Sequence, residues 1–451
     1  MSAIRRHIEV HGQVQGVGFR PFIYRLANEC HLGGFVANDS HGAQIEVEGE
    51  AADVTAFERR FRRELPPLAS VDRLTCEPRT ARHEATFRIQ PSVPLGGQDA
   101  CITPDAATCA DCLKELGDPI DRRYRYPFIN CTNCGPRLSI IQAIPYDRVN
   151  TTMRTFRMCP ECEAEYHDPT NRRFHAQPNA CPRCGPRVRL VDPAGREIPG
   201  EPFATAAELL RQHATLAVKG IGGFHLACRA DVDLAVRKLR RRKHREAKPL
   251  AVMVADVAAA RRIARVSKEE ARLLSEPAAP IVLLTERADT MLSAEVSDGA
   301  PTVGVMLAYS PVHHLLFAEG LGPLVMTSAN PSDEPLTHDN DEAVGRLRDI
   351  ADAFLLHDRD IERPIDDSVV RIVEGRPYPI RRARGYVPQS VTVPAGAPEP
   401  ILAVGAELKS TVCFLDADQA VLSPHLGDLQ SAITYRHFLR TIEQFGELLR
   451  C

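Results

Sequence analysis

The chain is 451 residues long, enough for about three domains, and its 44% hydrophobic and 25% charged composition is that of a globular protein with a sizeable core. Its 56 basic and 59 acidic residues leave a net charge of −3, so nothing in the overall charge argues for nucleic acid or an anionic membrane as the partner. The start, MSAIRRHIEV, lacks the apolar core of a signal peptide, and no apolar run approaches the ~20 residues that span a bilayer. A cytoplasmic protein is expected, in which fourteen cysteines need a role other than disulfides.

From Ile4 to Ile89 the pattern predicts a strand over IEVHGQV, a helix over PFIYRLANEC, a strand over GAQIEVEGE, a helix over DVTAFERRFRREL and a closing strand over EATFRIQP. That order predicts a small ferredoxin-like α+β sandwich, taken as residues 1–92. Between the first strand and helix lies QGVGFR. Gly16 and Gly18 free the backbone to curl, so that the amides of Gln15, Gly16, Val17, Gly18 and Phe19 can converge on an anion at a helix N-terminus. Arg20 adds a forked donor suited to phosphate, although a short glycine loop alone also reads as a tight turn. GQVQGVGFR followed by GGFVANDSHGAQIEVEG resembles the acylphosphatase family. The resemblance implies that the loop and Arg20 bind an acyl phosphate and that Asn38 orients the attacking water. His41 stands where that family often has an acidic turn residue, with no cost expected to the site.

Eight cysteines follow in two copies of C-x2-C, eighteen residues, C-x2-C: Cys109, Cys112, Cys131 and Cys134, then Cys159, Cys162, Cys181 and Cys184. The offset of fifty also matches Asp118-Pro119 to Asp168-Pro169, Arg122-Arg123 to Arg172-Arg173 and Gly135-Pro136-Arg137 to Gly185-Pro186-Arg187, which makes this an internal repeat. Each pair of C-x2-C turns can complete a tetrahedral shell of four thiolates. Compartment and spacing favour zinc over disulfides or an iron–sulfur cluster, with the cysteines pairing in sequence order. Such closed shells leave no position for water, so two structural zinc sites are expected in a tandem unit over 105–190. Cys30, Cys76, Cys101, Cys228, Cys413 and Cys451 are scattered and read as free thiols.

VDPAGREIPGEP reads as a linker into an α/β region over 200–390. There ATLAVKGIGGFHLACRA predicts strand, glycine turn and strand, DVDLAVRKLRRRKHREAKP a helix and basic loop, and LAVMVA, APIVLLTE and GPLVMTSA short apolar strands. By itself RKLRRRKHREAK is a solvated basic helix. Joined to TSANPSDEPL, however, the segment resembles the YrdC family, whose K-x-R falls on Lys243 and Arg245 and whose S-x-N falls on Ser328 and Asn330, with Lys248-Pro249 extending the likeness. The resemblance implies ATP bound with magnesium, the cations holding the phosphates and the Ser and Asn orienting the nucleotide. His357, Asp358, Arg359, Arg363, Asp366 and Asp367 crowd HDRDIERPIDDSV and are expected on the rim of the same anionic-substrate cavity.

Acylphosphatase-like domain, double C4 unit and YrdC-like domain in this order resemble the HypF family of carbamoyltransferases in NiFe-hydrogenase maturation. The resemblance implies hydrolysis of carbamoyl phosphate at the first site and conversion of carbamate to carbamoyl-adenylate with ATP at the second. Transfer to the C-terminal cysteine of HypE follows, on the route to the cyanide ligands of the iron. Carbamate decomposes in water, so an enclosed passage is implied, with the zinc unit as a clamp. ILAVGAELKSTVCFLDADQAVLSPHLGDLQS and the amphipathic AITYRHFLRTIEQFGELL resemble the opening of that family's actin-like last domain. Residues 398–451 are too few for such a domain, so a truncated start is expected, with its helix packed on the YrdC-like neighbour. Two other classes share features: a threonylcarbamoyl-adenylate synthase for tRNA modification, which needs neither acylphosphatase domain nor eight zinc cysteines, and a zinc-based nucleic-acid module, which DRRYRYPF hints at but the overall charge does not support.

Overall fold

The structure, a computed structural model, describes residues 3–38, 42–90, 102–144, 146–245, 247–330 and 334–449. His41, Cys101 and Cys451, singled out above, lie outside the described residues. The chain divides into two compact units, one drawn from Met1–Thr103, Asn130–Cys134 and Ala143–Cys184, the other from Pro104–Ile129, Gly135–Gln142 and Gly185–Cys451.

In the first unit the chain runs β1 (Ile4–His11), α1 (Phe19–Glu29), β2 (Gly33–Asn38), β3 (Gly42–Gly49), α2 (Ala51–Arg63), β4 (Arg73–Arg79) and β5 (Phe87–Ile89). The sheet order is β4-β1-β3-β2-β5, the first four antiparallel and β5 parallel to β2, which is the ferredoxin-like arrangement with one added strand. Helix α1 places Phe19, Phe22, Ile23 and Leu26 on one face, and α2 answers with Val54, Phe57 and Phe61. Phe19, Phe22, Phe57 and Phe61 meet with ring centroids 6.0–6.4 Å apart, so the core clamps the first turn of α1 against the sheet. Two strands escaped the sequence pattern. Strand β2 opens on Gly33 and Gly34 because a Cβ on Gly33 would lie 1.7 Å from the Glu84 carbonyl oxygen. Strand β4 is exposed along nearly its whole length and so shows no alternation.

The second unit is built on a sheet whose strands are β6 (Val188–Val191), β7 (Leu216–Lys219), β8 (Phe224–Arg229), β9 (Val252–Val254), β10 (Ala264–Arg265), β11 (Ile281–Glu286), β12 (Thr302–Leu307), β13 (Leu324–Ser328), β14 (Ala353–His357), β15 (Val369–Val373) and β16 (Arg376–Arg381). Their order is β16-β15-β11-β12-β9-β13-β8-β7-β14-β6, with β10 beside β11. Three pairs are parallel (β11–β15, β12–β9, β7–β14) and the rest antiparallel, including the run β9-β13-β8-β7, so the sheet is mixed. The predicted linker starts earlier than it should: Val191 pairs with Phe354, so the segment leading into it is an edge strand of this sheet. Beyond it, β17 (Val391–Thr392), β18 (Ile401–Ala403), β19 (Cys413–Asp416) and β20 (Gln419–Leu422) form a small sheet. The following helix, Ala432–Leu449, buries Thr434, Phe438, Thr441, Phe445 and Leu448. Phe445 stacks on Phe414 of β19, and His437 is pushed down to about 4 by burial, with His338 and Arg440 adding to it. The stacking contact of this helix is therefore with the small sheet of its own segment, while the influence of His338 on His437 comes from the YrdC-like part expected to receive it. Among the described residues no helix is long and apolar enough to cross a membrane.

Candidate functional site

The loop after β1 turns on two glycines in the left-handed region, Gly16 at φ 70° and Gly18 at φ 74°. Gly18 is the N-cap of α1, which leaves the first amides of that helix without intrahelical partners. Val17 and Phe19 are buried and anchor the loop from below, and Gln15 ties it to β3 by donating from Nε2 to the Gly42 carbonyl at 3.1 Å. Arg20 rises from the first turn, half-buried. Burial lowers its pKa, while Asp147 and the Tyr166 hydroxyl pull the other way. Asn38 ends β2; it is 5% exposed, and its Oδ1 has no hydrogen-bond partner among the described residues. A buried acceptor left open is costly in a finished fold and fits a group that waits for a water or a ligand.

Asp147 comes from the segment before the second cysteine repeat, and the other groups that act with Arg20, Tyr166 and His175, come from the repeat itself. His175 is pushed down to about 4, first by burial and then by the charges of Arg20 and His167. It stacks between Phe174 (centroids 4.1 Å) and Tyr166 (5.1 Å), and the Tyr166 hydroxyl donates to Gln177 Oε1 at 2.7 Å. Sequence reasoning missed Asp147, Tyr166 and His175. The signal was available in the repeat itself: at the offset of fifty, Tyr166 stands against Leu116 and His175 against Arg125. The backbone there is the same in both copies. Arg125 and His175 both sit at positive φ (54° and 52°), and each amide donates back across the turn, to Leu116 at 2.9 Å and Tyr166 at 3.0 Å. Only the side chains diverge.

Both cysteine clusters are assembled in sequence order: the Sγ atoms of Cys109, Cys112, Cys131 and Cys134 lie within 4.8 Å of one another, as do those of Cys159, Cys162, Cys181 and Cys184. Measured separations are 3.9 Å for Cys131–Cys134 and 3.7 Å for Cys159–Cys181, Cys181–Cys184 and Cys162–Cys184. A tetrahedron with Zn–S bonds of about 2.3 Å has edges of about 3.8 Å, so both clusters fit zinc. Four sulfurs fill each shell and leave no position for substrate. We expect elemental analysis of protein purified without added metal to give two zinc per chain; one zinc, or iron with visible absorbance, would defeat this assignment.

In the second unit α3 (Pro202–Arg211) precedes α4 (Asp233–Lys243), which delivers Lys243 from its last turn. His244 closes the helix at φ 50° and turns Arg245 back toward β13. Lys243, Arg245, Ser328 and Asn330 are brought together. The Lys243 ammonium donates to the Ser328 carbonyl and to Asn330 Oδ1 (3.2 Å), Ser328 Oγ donates to Asn330 Oδ1 (2.9 Å), and Arg245 donates to Thr327 Oγ1 (3.2 Å) and the Pro249 carbonyl (2.8 Å). Lys248 joins through its backbone, whose carbonyl accepts from Arg240 at 3.2 Å. Burial pushes Lys243 down to about 7; Arg245 and Lys248 push the same way, and Asp366 opposes them. Three cations acting on one another repel unless an anion joins them. Lys219, missed because it ends the apolar strand β7, is likewise pushed down to about 8 by burial.

The polar cluster over 357–367 does not form one rim. Asp367 is buried and held far below the ordinary carboxylate range by Arg384 and His225, which it meets at 2.8 Å each. Arg359 lies over the Phe128 ring at 5.1 Å, and Asp358 accepts from the Arg187 amide at 2.7 Å. These residues pin the segment to the domain; Asp366 alone of the six acts on Lys243.

Family models match the chain as acylphosphatase over 6–89, as the HypF finger over 108–141 and 158–191, as the Sua5/YciO/YrdC family (described as "Telomere recombination") over 208–383, and as the HypF Kae1-like domain over 396–451. Carbamoyltransferase HypF of Synechocystis is 49% identical over 443 residues, 98% of this chain and 58% of that protein. A crystal structure of full-length HypF in the phosphate- and nucleotide-bound form superposes with TM-score 0.92 at 46% identity, covering 100% of this chain and 59% of that one. HypF of T. kodakarensis superposes with TM-score 0.88 at 42% identity over 99% and 58%. An acylphosphatase fold, paired C4 fingers whose eight cysteines fit two zinc sites and a Sua5/YciO/YrdC domain on one chain define a composite protein of these three module types. Nearly the whole chain is thus similar to carbamoyltransferase HypF, at 48–49% identity to the relatives from Synechocystis and Cupriavidus necator, and it spans about 58% of the length of these curated relatives.

Proposed function

We propose that this chain is the activating part of a carbamoyltransferase of hydrogenase maturation, working in the cytoplasm. At the first site the amides from Gln15 to Phe19 and the Arg20 guanidinium bind carbamoyl phosphate. Asn38 Oδ1 accepts from a water and orients it, and hydrolysis yields carbamate and phosphate. At the second site Lys243, Arg245 and Lys248 neutralise the triphosphate of ATP, which brings its own magnesium. Ser328 and Asn330 hold the nucleotide while a carbamate oxygen attacks the α-phosphorus and pyrophosphate leaves. The carbamoyl-adenylate then passes its carbamoyl group to the C-terminal cysteine sulfur of HypE, releasing AMP. Positioning and charge neutralisation suffice for both steps, because an acyl phosphate and ATP are already activated.

The observation that carries this reading is the buried, open acceptor of Asn38 at the end of β2, on the same chain as Lys243 with Arg245 and Lys248 acting on it. The phosphate- and nucleotide-bound state described for the similar HypF supports the same pair of ligands here. The decisive measurement is pyrophosphate exchange into ATP. Exchange that requires carbamoyl phosphate is expected; exchange driven by threonine and bicarbonate without carbamoyl phosphate would select the threonylcarbamoyl-adenylate reading instead, and no exchange with either would sink the second site.

A further inference from the structure

His225 is a buried imidazole that the chemistry described so far leaves unused. It stands on β8 directly opposite Ser328 of β13 in the antiparallel register, so the two side chains leave the sheet on the same face. There Ser328 Oγ donates to Asn330 Oδ1, which also accepts from the Lys243 ammonium. The residue is 6% exposed. Its Nε2 meets Asp367 Oδ2 at 2.8 Å, and the adjacent Asp366 is the carboxylate that acts on Lys243. The other ring nitrogen, Nδ1, is buried and has no hydrogen-bond partner among the described residues. We infer that His225 is a substrate-binding residue of the adenylation site, whose Nδ1 accepts an N–H from the amino group of carbamate while Lys243 and its neighbours hold the phosphates. The inference rests on the carbamoyl-adenylate reading of that site.

Which nitrogen is open follows from the residues behind the ring. Arg384 donates from Nε to Asp367 Oδ1 at 2.8 Å, and from Nη1 and Nη2 to the carbonyls of Ala278 (3.0 Å) and Ala279 (2.8 Å). Burial would raise the Asp367 pKa, but the Arg384 guanidinium and His225 hold it far below the ordinary carboxylate range. An ionised carboxylate only accepts, so in the neutral imidazole Nε2 carries the proton and Nδ1 the lone pair. Tyr309 and His313 pack edge-on against the ring, with centroids 6.5 and 5.7 Å away, and hold its orientation. A buried acceptor left open costs free energy that a substrate N–H recovers. Carbamate has that donor; acetate has a methyl in its place. A site with such an acceptor disfavours the analogue that leaves it unpaired.

The test measures pyrophosphate exchange into ATP driven by freshly dissolved ammonium carbamate, which bypasses the first site, and by acetate. Carbamate concentration is read by carbon NMR, and a thermal midpoint is recorded for each variant. His225→Gln keeps a donor for Asp367 and gives up the acceptor; His225→Asn keeps an acceptor near the place of Nδ1 and gives up the donor. The wild type is expected to favour carbamate over acetate by about tenfold or more in kcat/KM. His225→Gln should lose most of that preference through carbamate, with the KM for ATP within about twofold, and His225→Asn should keep it. A folded His225→Gln with the wild-type ratio overturns the inference while leaving the adenylation site standing, and so does an equal loss in both variants. If only His225→Asn folds, a retained preference supports the inference and a lost one overturns it. If neither folds, the wild type decides: acetate disfavoured by about tenfold or more supports the inference, and acetate as good as carbamate overturns it. A wild-type chain with no exchange from carbamate overturns the adenylation reading and this inference with it.

Discussion

Arg20→Ala is expected to reduce carbamoyl phosphate hydrolysis by roughly a thousandfold in kcat/KM, since the guanidinium carries charge neutralisation that amides alone do not replace. The side chain is half-buried at the first turn of α1, and the core beneath it is made by Phe19, Phe22 and Ile23, so the variant should keep its thermal midpoint. A second consequence separates loss of charge from loss of fold. In the wild type, Arg20 helps hold His175 neutral, down to about 4. Removing that positive charge should let the His175 pKa rise, which NMR titration of the imidazole can follow. Burial, the larger cause, remains, so the rise should be partial. A variant that hydrolyses at the wild-type rate would remove the loop as the site. An inactive variant with an unshifted His175 would place Arg20 away from the Tyr166–His175 wall.

What could be read from the sequence followed the strength of local constraint. The cysteine spacing allowed few geometries, and both clusters assembled as the spacing required. The loop could be placed because Gly16 and Gly18 free the backbone to curl, whereas Lys243 and Arg245 were legible only through the resemblance of K-x-R and S-x-N to the YrdC family, the basic run by itself reading as a solvated helix. Strand β4 gave no signal, since its residues are exposed on both faces, and β14 (AFLLH), buried throughout, has no alternation to detect. The polar run over 357–367 misled because composition does not distinguish a solvated rim from buried pairs. Only the structure reveals that Asp367 is held between His225 and Arg384, residues far away in sequence. The groups around Arg20 were harder to read: the divergence of the two repeats at Tyr166 and His175 marked those positions, but nothing local in the sequence ties either of them to residue 20.

Lys243→Met should abolish carbamoyl-phosphate-dependent pyrophosphate exchange, a loss of about a hundredfold or more, because a charge at the departing pyrophosphate is replaced by an apolar chain. Hydrolysis at the Arg20 site should stay within about twofold, as expected for positions that share no partners. The variant should fold well, since it removes a buried ammonium and keeps a similar volume. The pH dependence gives a sharper test. In the free protein Lys243 is pushed down to about 7, so at neutral pH about half of it is uncharged. Bound triphosphate favours the ammonium, so the bound pKa is higher than the free one. The sign follows: the lysine's contribution to binding is full below about 7 and is lost as pH rises toward the bound value, with about a tenfold weakening per pH unit over that window. Calorimetry of ATP binding between about pH 6 and 9 should therefore show uptake of up to one proton in the wild type and a steep fall in affinity. Lys243→Met should bind more weakly and lose most of that slope. If ATP affinity is flat across the window in the wild type, or if the slope persists undiminished in Lys243→Met, the lysine is not the group that meets the phosphates.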